Sequence, residues 1–203
     1  MMIEPTLIEN ILVNQNDPNR FVMPTIPLFY GFVDTQCTAS RDYLFVTKPY
    51  IFLRSDFINY LPEHMMLIGS RWLPLTHFPL PNWYPFPKYP EKILFLGDLD
   101  FDDIAIFLWL KSKYDQFELI GINDQLLERF DISLDNRCWF DANEDEISVM
   151  ARLQIPVELL EQLVGPHCTK MLLAHRKIEL DGIANFHGES LRKFLRDLEP
   201  GIS

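Results

Sequence analysis

From residue 43 onward, short unbroken apolar runs alternate with longer stretches in which apolar residues recur every three or four positions. YLFV (43–46), MMLIG (65–69), ILFL (93–96) and FELIGIN (117–123) carry little polar alternation. Such runs read as strands buried on both faces, the habit of a parallel sheet. Residues 50–61 place Ile51, Phe52, Phe57, Ile58 and Leu61 in a helical stripe behind Pro49, a residue suited to a first helical turn. Ile104 to Lys113 reads as a helix apolar on most sides, and 124–130 as a short helix. ANEDEISVMARL (142–153) opens a helix with acidic residues at 144–146, where they complement its N-terminal end. VELLEQLV (157–164) is helical and stops at Gly165–Pro166; MLLAHRKIELDGIANF (171–186) reads as continuing helix, and GESLRKFLRDL (188–198) as a closing amphipathic one.

Strand, helix, strand, loop, strand, helix, strand and then helices is the order of an α/β fold, with a mostly parallel sheet flanked by helices and a helical C-terminal segment. Residues 1–40, punctuated by Pro5, Pro18, Pro24 and Pro27, read as an irregular N-terminal arm or cap on an α/β domain spanning 41–203. The stretch PLTHFPLPNWYPFPKYP (74–90) holds six prolines and five aromatics, which excludes both helix and central strand. Its rings Trp83, Tyr84, Phe86 and Tyr89 either pack on the domain's own core or serve to stack bases or dock a partner.

Composition narrows the function. A hydrophobic fraction of 48% supports a real core. The 29 acidic residues outnumber 18 basic ones, for a net charge of -11, which argues against broad binding to a phosphate backbone but leaves room for a local basic groove or a metal-bridged contact. Cys37, Cys138 and Cys168 are far apart and lack CxxC spacing, so neither a disulfide framework nor a zinc site is expected. The chain opens with no basic and apolar leader and holds no run of 18 apolar residues, so the expectation is a cytoplasmic protein with no membrane partner.

The candidate chemistry lies in GDLDFDD (97–103), where four aspartates stand between two apolar runs. In an open parallel sheet, ligands bind at the carboxyl ends of strands, and Gly97 to Asp103 lies at such an end. Asp98 and Asp100 are two apart, so on an extended segment their carboxylates project the same way. Two close carboxylates must share a proton or a cation, and hard oxygen ligands suit Mg²⁺ or Mn²⁺. Asp102 and Asp103 fall where the next helix begins and can cap its free N–H groups. The competing reading makes all four ordinary turn and cap residues. A phosphatase of the DxDxT kind would need threonine at position 102, which is Asp102.

GDLDFDDIAIF (97–107) resembles the metal-binding DxD segment of Toprim domains, most closely that of the topoisomerase VI A-like nuclease subunit of Wadjet-type plasmid-defence systems. LFVTKPYIF (44–52) resembles that family's first strand and turn, MLIGSRW (66–72) its second strand, FELIGIN the strand after the helix, and HRKIELDGI (175–183) a late helical segment carrying a glutamate. The resemblance implies Mg²⁺-dependent cleavage of DNA phosphodiesters by a possible endonuclease within a larger defence complex. Asp98, Asp100 and Glu179 would be catalytic, with Asp98 and Asp100 as the metal ligands of the DxD and Asp102 or Asp103 as further ligands in place of an acid the segment lacks. Two positions depart from the pattern: Thr47 and Lys48 stand where the family has its first-strand glutamate, and Asp103 stands where it has glycine. Asp42 and Asp56 are further acidic candidates. The alternative reading is a catalytically degenerate Toprim-like module acting in protein–protein interaction.

Three basic residues are candidates for substrate phosphate. Arg71 follows the second strand in GSRW, where backbone N–H groups are also on offer. Arg176 and Lys177 form a small basic cluster with His175; the plainer reading of that cluster is a solvated helix face.

Overall fold

The unbroken apolar runs form the centre of the molecule. In the computed structural model, residues 29–31, 42–54, 56–62, 65–70, 92–113, 115–132 and 137–198 are described. A five-stranded sheet is built from β1 (Phe29–Gly31), β2 (Asp42–Val46), β3 (Met65–Ser70), β4 (Lys92–Leu96) and β5 (Phe117–Leu119), in the order β1-β3-β2-β4-β5. The pairs β2–β3, β2–β4 and β4–β5 are parallel, and β1 closes one edge antiparallel to β3. The fold is therefore α/β, with a mostly parallel sheet flanked by helices.

Burial explains the runs. Tyr43, Leu44, Phe45 and Val46 on β2, and Ile93, Leu94, Phe95 and Leu96 on β4, are all buried. Phe45 stacks on Phe95 at 5.4 Å between ring centroids and meets Phe117 edge-on at 5.7 Å. Phe95 also meets Phe107 at 5.6 Å, which fixes α2 (Phe101–Lys113) on the sheet. Each such ring, fully buried, contributes about 1.5–3 kcal/mol by leaving water.

The element between β2 and β3 is shorter than its stripe implies. The helix α1 (Pro49–Arg54) ends, Asp56 turns left-handed at φ 55°, and a single 3-10 turn follows over Phe57–Tyr60. The helix α2 begins three residues earlier than the pattern, at Phe101. β5 stops at Leu119, because Ile120 and Gly121 both turn their N–H groups onto the Phe95 carbonyl.

Beyond the sheet come α3 (Asp124–Arg129), α4 (Glu144–Leu153), α5 (Val157–Val164) and α6 (Pro166–Leu173). Asn143 and Glu146 start α4 with a reciprocal capping box. Gly165, at φ 90°, ends α5, and Pro166 immediately opens α6. The Asp124 carboxylate accepts from the backbone N–H of His167 and Cys168, and so caps α6 from α3. Cys138 and Cys168 are buried and not joined in a disulfide.

The continuous helix expected over 171–186 is not formed. The helix α6 stops at Leu173, His175 turns left-handed at φ 58°, and Arg176–Ile178 become strand β7. β7 pairs antiparallel with β6 (Trp139–Asp141), and α7 (Leu180–Phe186) follows. The physical reason is tertiary pairing: Leu99 and Ile178 exchange backbone hydrogen bonds, at 2.8 and 3.3 Å, across the acidic loop. The amphipathic α8 (Gly188–Arg196) forms as expected, burying Leu191 and Leu195 and laying Arg192 over the Phe57 and Tyr60 rings. The aromatic stretch 74–90 and most of the N-terminal arm lie outside the described residues. Among the described residues, no helix is long and apolar enough to cross a membrane.

Two substitutions test this packing. Phe95→Ala should lower unfolding free energy by about 3–5 kcal/mol in denaturant titration, since its buried ring packs against both β2 and α2. Asn143→Ala should cost about 1 kcal/mol, the ordinary loss of an N-cap.

Candidate functional site, an ammonium among carboxylates

The register of the sheet sets the site. Val46 pairs with Leu96 at the ends of β2 and β4, so the chain leaving β2 through Thr47 and Lys48 runs beside the chain leaving β4 through Gly97 and Asp98. Both segments emerge at the carboxyl end of the parallel strands. The Leu99–Ile178 pairing brings a third segment alongside, so that Lys177 and Glu179 border the same loop.

The four aspartates have different tasks. Asp100 is the N-cap of α2: its carbonyl accepts from Ile104 N–H at 3.2 Å and its Oδ1 accepts from Asp103 N–H at 2.8 Å. Asp103 does not cap; its Oδ2 accepts from Thr47 Oγ1 and from Asp98 N–H, both at 2.6 Å. This is why Gly97 must be glycine, because a Cβ there would lie 2.4 Å from Asp103 Oδ2. Asp102 sits half-buried in the first turn of α2, where its charge adds to that around Asp100. Asp98 receives Leu180 N–H on Oδ1 at 2.7 Å and the Lys48 ammonium on Oδ2 at 2.7 Å.

Lys48 is the centre of the cluster. Its Nζ lies 2.7 Å from Asp98, 3.1 Å from Glu179 and 3.2 Å from Asp181. A lysine ammonium carries three donors, and each has a carboxylate oxygen within reach. Tyr50 donates its hydroxyl to the same Asp181 oxygen at 2.5 Å. Glu179 is shared: Oε2 faces Lys48, and Oε1 lies 2.9 Å from the Lys177 ammonium, which also meets Glu146 at 2.5 Å. The result is a chain of alternating charge, Asp98–Lys48–Glu179–Lys177–Glu146.

Proton affinities follow this arrangement. Burial alone would lower the Lys48 ammonium, but the charge and hydrogen bond of Asp98, with those of Glu179, hold it above the ordinary lysine range. Burial opposes the charged form of Glu179 too, yet its bonds to Lys177 and Lys48 keep it below the usual glutamate value. Burial raises Asp98, and the Lys48 charge pulls it part of the way back. Burial and the neighbouring Asp103 and Asp98 charges push Asp100 well up. Burial and the Asp98 charge push Asp103 up to about 7, against the pull of Thr47. Burial raises Tyr50 to about 12, helped by its bond to Asp181.

The expected divalent-cation site can now be tested against these donors. Both oxygens of Asp98 already accept from protein donors, and Oδ1 of Asp100 and Oδ2 of Asp103 do as well. Among the described residues, no group of three or more His, Cys, Asp or Glu side chains is arranged to hold a metal ion. The place such an ion would share between Asp98 and Glu179 is taken by Lys48 Nζ. As arranged, the residues do not fit Mg²⁺ or Mn²⁺.

Of the other expected site residues, Glu179 does join Asp98, from the turn between β7 and α7 and not from within a helix. Lys177 is buried and spent on Glu146 and Glu179. Arg176 lies on the opposite face of β7 and pairs with Asp141 at 3.2 Å. Both stand on a strand, which corrects the helical placement of this basic cluster. Arg71 lies outside the described residues. Asp42 begins β2, at the end of the strand away from Lys48, and Asp56 precedes the 3-10 turn. Sequence reasoning missed Lys48 as a participant, together with Tyr50, Glu146 and Asp181. The signal was a basic residue standing where the resemblance calls for an acid, directly across from a paired acidic motif.

Lys48→Met should cost about 3–5 kcal/mol of stability, because it leaves the buried Asp98 charge without its partner, and Lys48→Met combined with Asp98→Asn should recover part of that loss in the same denaturant titration. Asp103 binds its proton more tightly folded, at about 7, than unfolded, near the ordinary ~4. Its contribution to stability is therefore complete at the acid end and lost as pH rises through about 7. Asp103→Asn should flatten the stability profile over that window, read from unfolding midpoints at successive pH values.

No protein-family model matches the chain, and no curated protein or solved structure matches it.

Proposed function

We propose that this chain is a catalytically degenerate Toprim-like module that works through contacts with partner proteins. The observation that carries the reading is Lys48, whose ammonium sits within 3.2 Å of Asp98, Glu179 and Asp181, where a metal-dependent nuclease needs a divalent cation. A tethered ammonium neutralises the carboxylates but has no open coordination position with which to polarise a phosphate or activate water. The Toprim-like assignment is supported by the parallel order of β3, β2, β4 and β5 and by the acidic loop between β4 and α2. The cluster thus holds β2, β4, β7 and α7 together as a rigid end of the sheet. Acidic composition fits the same reading, since a net charge of -11 disfavours a nucleic-acid surface.

Metal-dependent DNA cleavage within a cytoplasmic plasmid-defence complex is the second reading. One observation favours it: Asp98, Glu179 and Asp181 converge on a single point, and Lys48 is partly solvent-exposed, so outward rotation of its side chain would bare three carboxylates.

Incubation of the purified chain with supercoiled plasmid and Mg²⁺ or Mn²⁺ separates the two. The proposal predicts no nicking above the level of an Asp98→Ala/Asp100→Ala variant. Robust cleavage that disappears in that variant would sink it.

A further inference from the structure

The basic residues of this acidic chain are unevenly placed. Arg192, Lys193 and Arg196, three of the 18, fall within one short stretch of α8. Leu191 and Leu195 bury the inner side of that helix, while Lys193 and Arg196 are exposed. Cations near the carboxyl end of a helix complement its dipole, which accounts for Lys193 and Arg196 as charges. It does not account for how the two guanidiniums are held.

Arg192 and Arg196 stand one turn apart and share an aromatic platform. The Arg192 guanidinium lies 5.2 Å from the Phe57 ring centre and 5.5 Å from that of Tyr60, and the Arg196 guanidinium lies 4.6 Å from Tyr60. A guanidinium over a ring uses its face and keeps its N–H edge for acceptors. Stacking also fixes the head beforehand, so less side-chain freedom is lost when an acceptor arrives. Arg192 does pair with Glu189, but that carboxylate is 87% exposed and three residues away on the same helix, a pair worth little and readily exchanged. Asp197 is paired with Arg129, which stacks on Phe194. Among the described residues, the flank of Arg192, Lys193 and Arg196 is thus left positive.

We propose that this flank of α8 docks an acidic segment of a partner protein, whose carboxylates accept from Arg192 and Arg196 beside the Tyr60 ring. This rests on the interaction-module reading and names a surface for it. Charge and spacing choose the occupant. Planar guanidiniums match carboxylates bidentately, and a positive patch selects a negative partner. Two heads on successive turns ask for successive carboxylates and not for one isolated anion. A nucleic-acid duplex would run past the flank over a chain of net charge -11, whereas a short peptide segment stays on it.

The test uses the full chain at low salt and follows the side-chain Nε–H resonances of Arg192 and Arg196 by NMR. Three probes are titrated: an eight-residue peptide alternating glutamate and serine, its lysine counterpart, and a short DNA duplex. The glutamate peptide should move both resonances to saturation, and the lysine peptide neither. Arg196→Glu should weaken the glutamate peptide by about tenfold or more, read at Arg192. Arg196→Lys should weaken it too, since an ammonium keeps the charge and loses the planar fork. Lys170→Glu, the same charge change on an exposed position of α6, should leave the affinity unaltered. The proposal is overturned if the glutamate peptide moves neither resonance, or if Arg196→Glu or Arg196→Lys binds it as tightly as the wild type. It is also overturned if the duplex binds there more tightly than the peptide. Self-association of the free chain that Arg196→Glu abolishes would overturn it as well, since a second copy would then hold the flank. Nicking in the plasmid assay, and with it the reading of Lys48, is decided separately from all of these.

Discussion

Everything at the carboxyl end of the sheet depends on neutralising charge that the fold forces out of water. Asp98, Asp100 and Asp103 leave β4 and enter α2, two elements whose apolar residues are buried, so their carboxylates are drawn in as well. An unpaired buried carboxylate is expensive, and a chain resolves the cost by protonation, by hydrogen bonding or by a cation. All three appear here. Asp100 and Asp103 have raised proton affinities, Thr47 and three backbone N–H groups supply hydrogen bonds, and Lys48 supplies the cation.

The lysine can do this because of where the sheet puts it. β2 and β4 are neighbours in parallel register, so residues two beyond each strand's end stand side by side. The small antiparallel ribbon of β6 and β7 then closes the other side and delivers Glu179 and Lys177. Fold and site are thus one construction: the Leu99–Ile178 pairing that docks β7 also carries the second acid to the ammonium. A tethered ammonium and a divalent cation solve the same electrostatic problem, but only the second leaves a position for substrate.

The strands β2, β3 and β4 were legible because a run such as YLFV or ILFL can hardly be satisfied except inside a parallel sheet. The short strand β7 was not, since RKI has no turn residue before it and lies within a stretch that suits a helix; its strand form comes from pairing with Trp139–Asp141 and Leu99, contacts distant in sequence. The acidic loop was legible as a place and not as a set of roles. Spacing placed Asp98 and Asp100 together and left Asp103 to cap. The helix actually begins at Phe101, which makes Asp100 the cap and frees Asp103 to reach back to Asp98 N–H. A shift of three residues in a helix start, within the ordinary uncertainty of a boundary read from sequence, was enough to exchange the two. Glu179 was reached through resemblance alone, and Lys48 was noted only as the absence of an acid.

The central claim is that Lys48 is the resident cation of this site. The most direct measurement is an NMR titration of the Lys48 ε-ammonium, with and without Mg²⁺. The account predicts a resonance that stays protonated above the ordinary lysine value of about 10.4 and does not respond to Mg²⁺. A Lys48 that titrates at the ordinary value, or whose contact with Asp98 is released as Mg²⁺ is added, would contradict it.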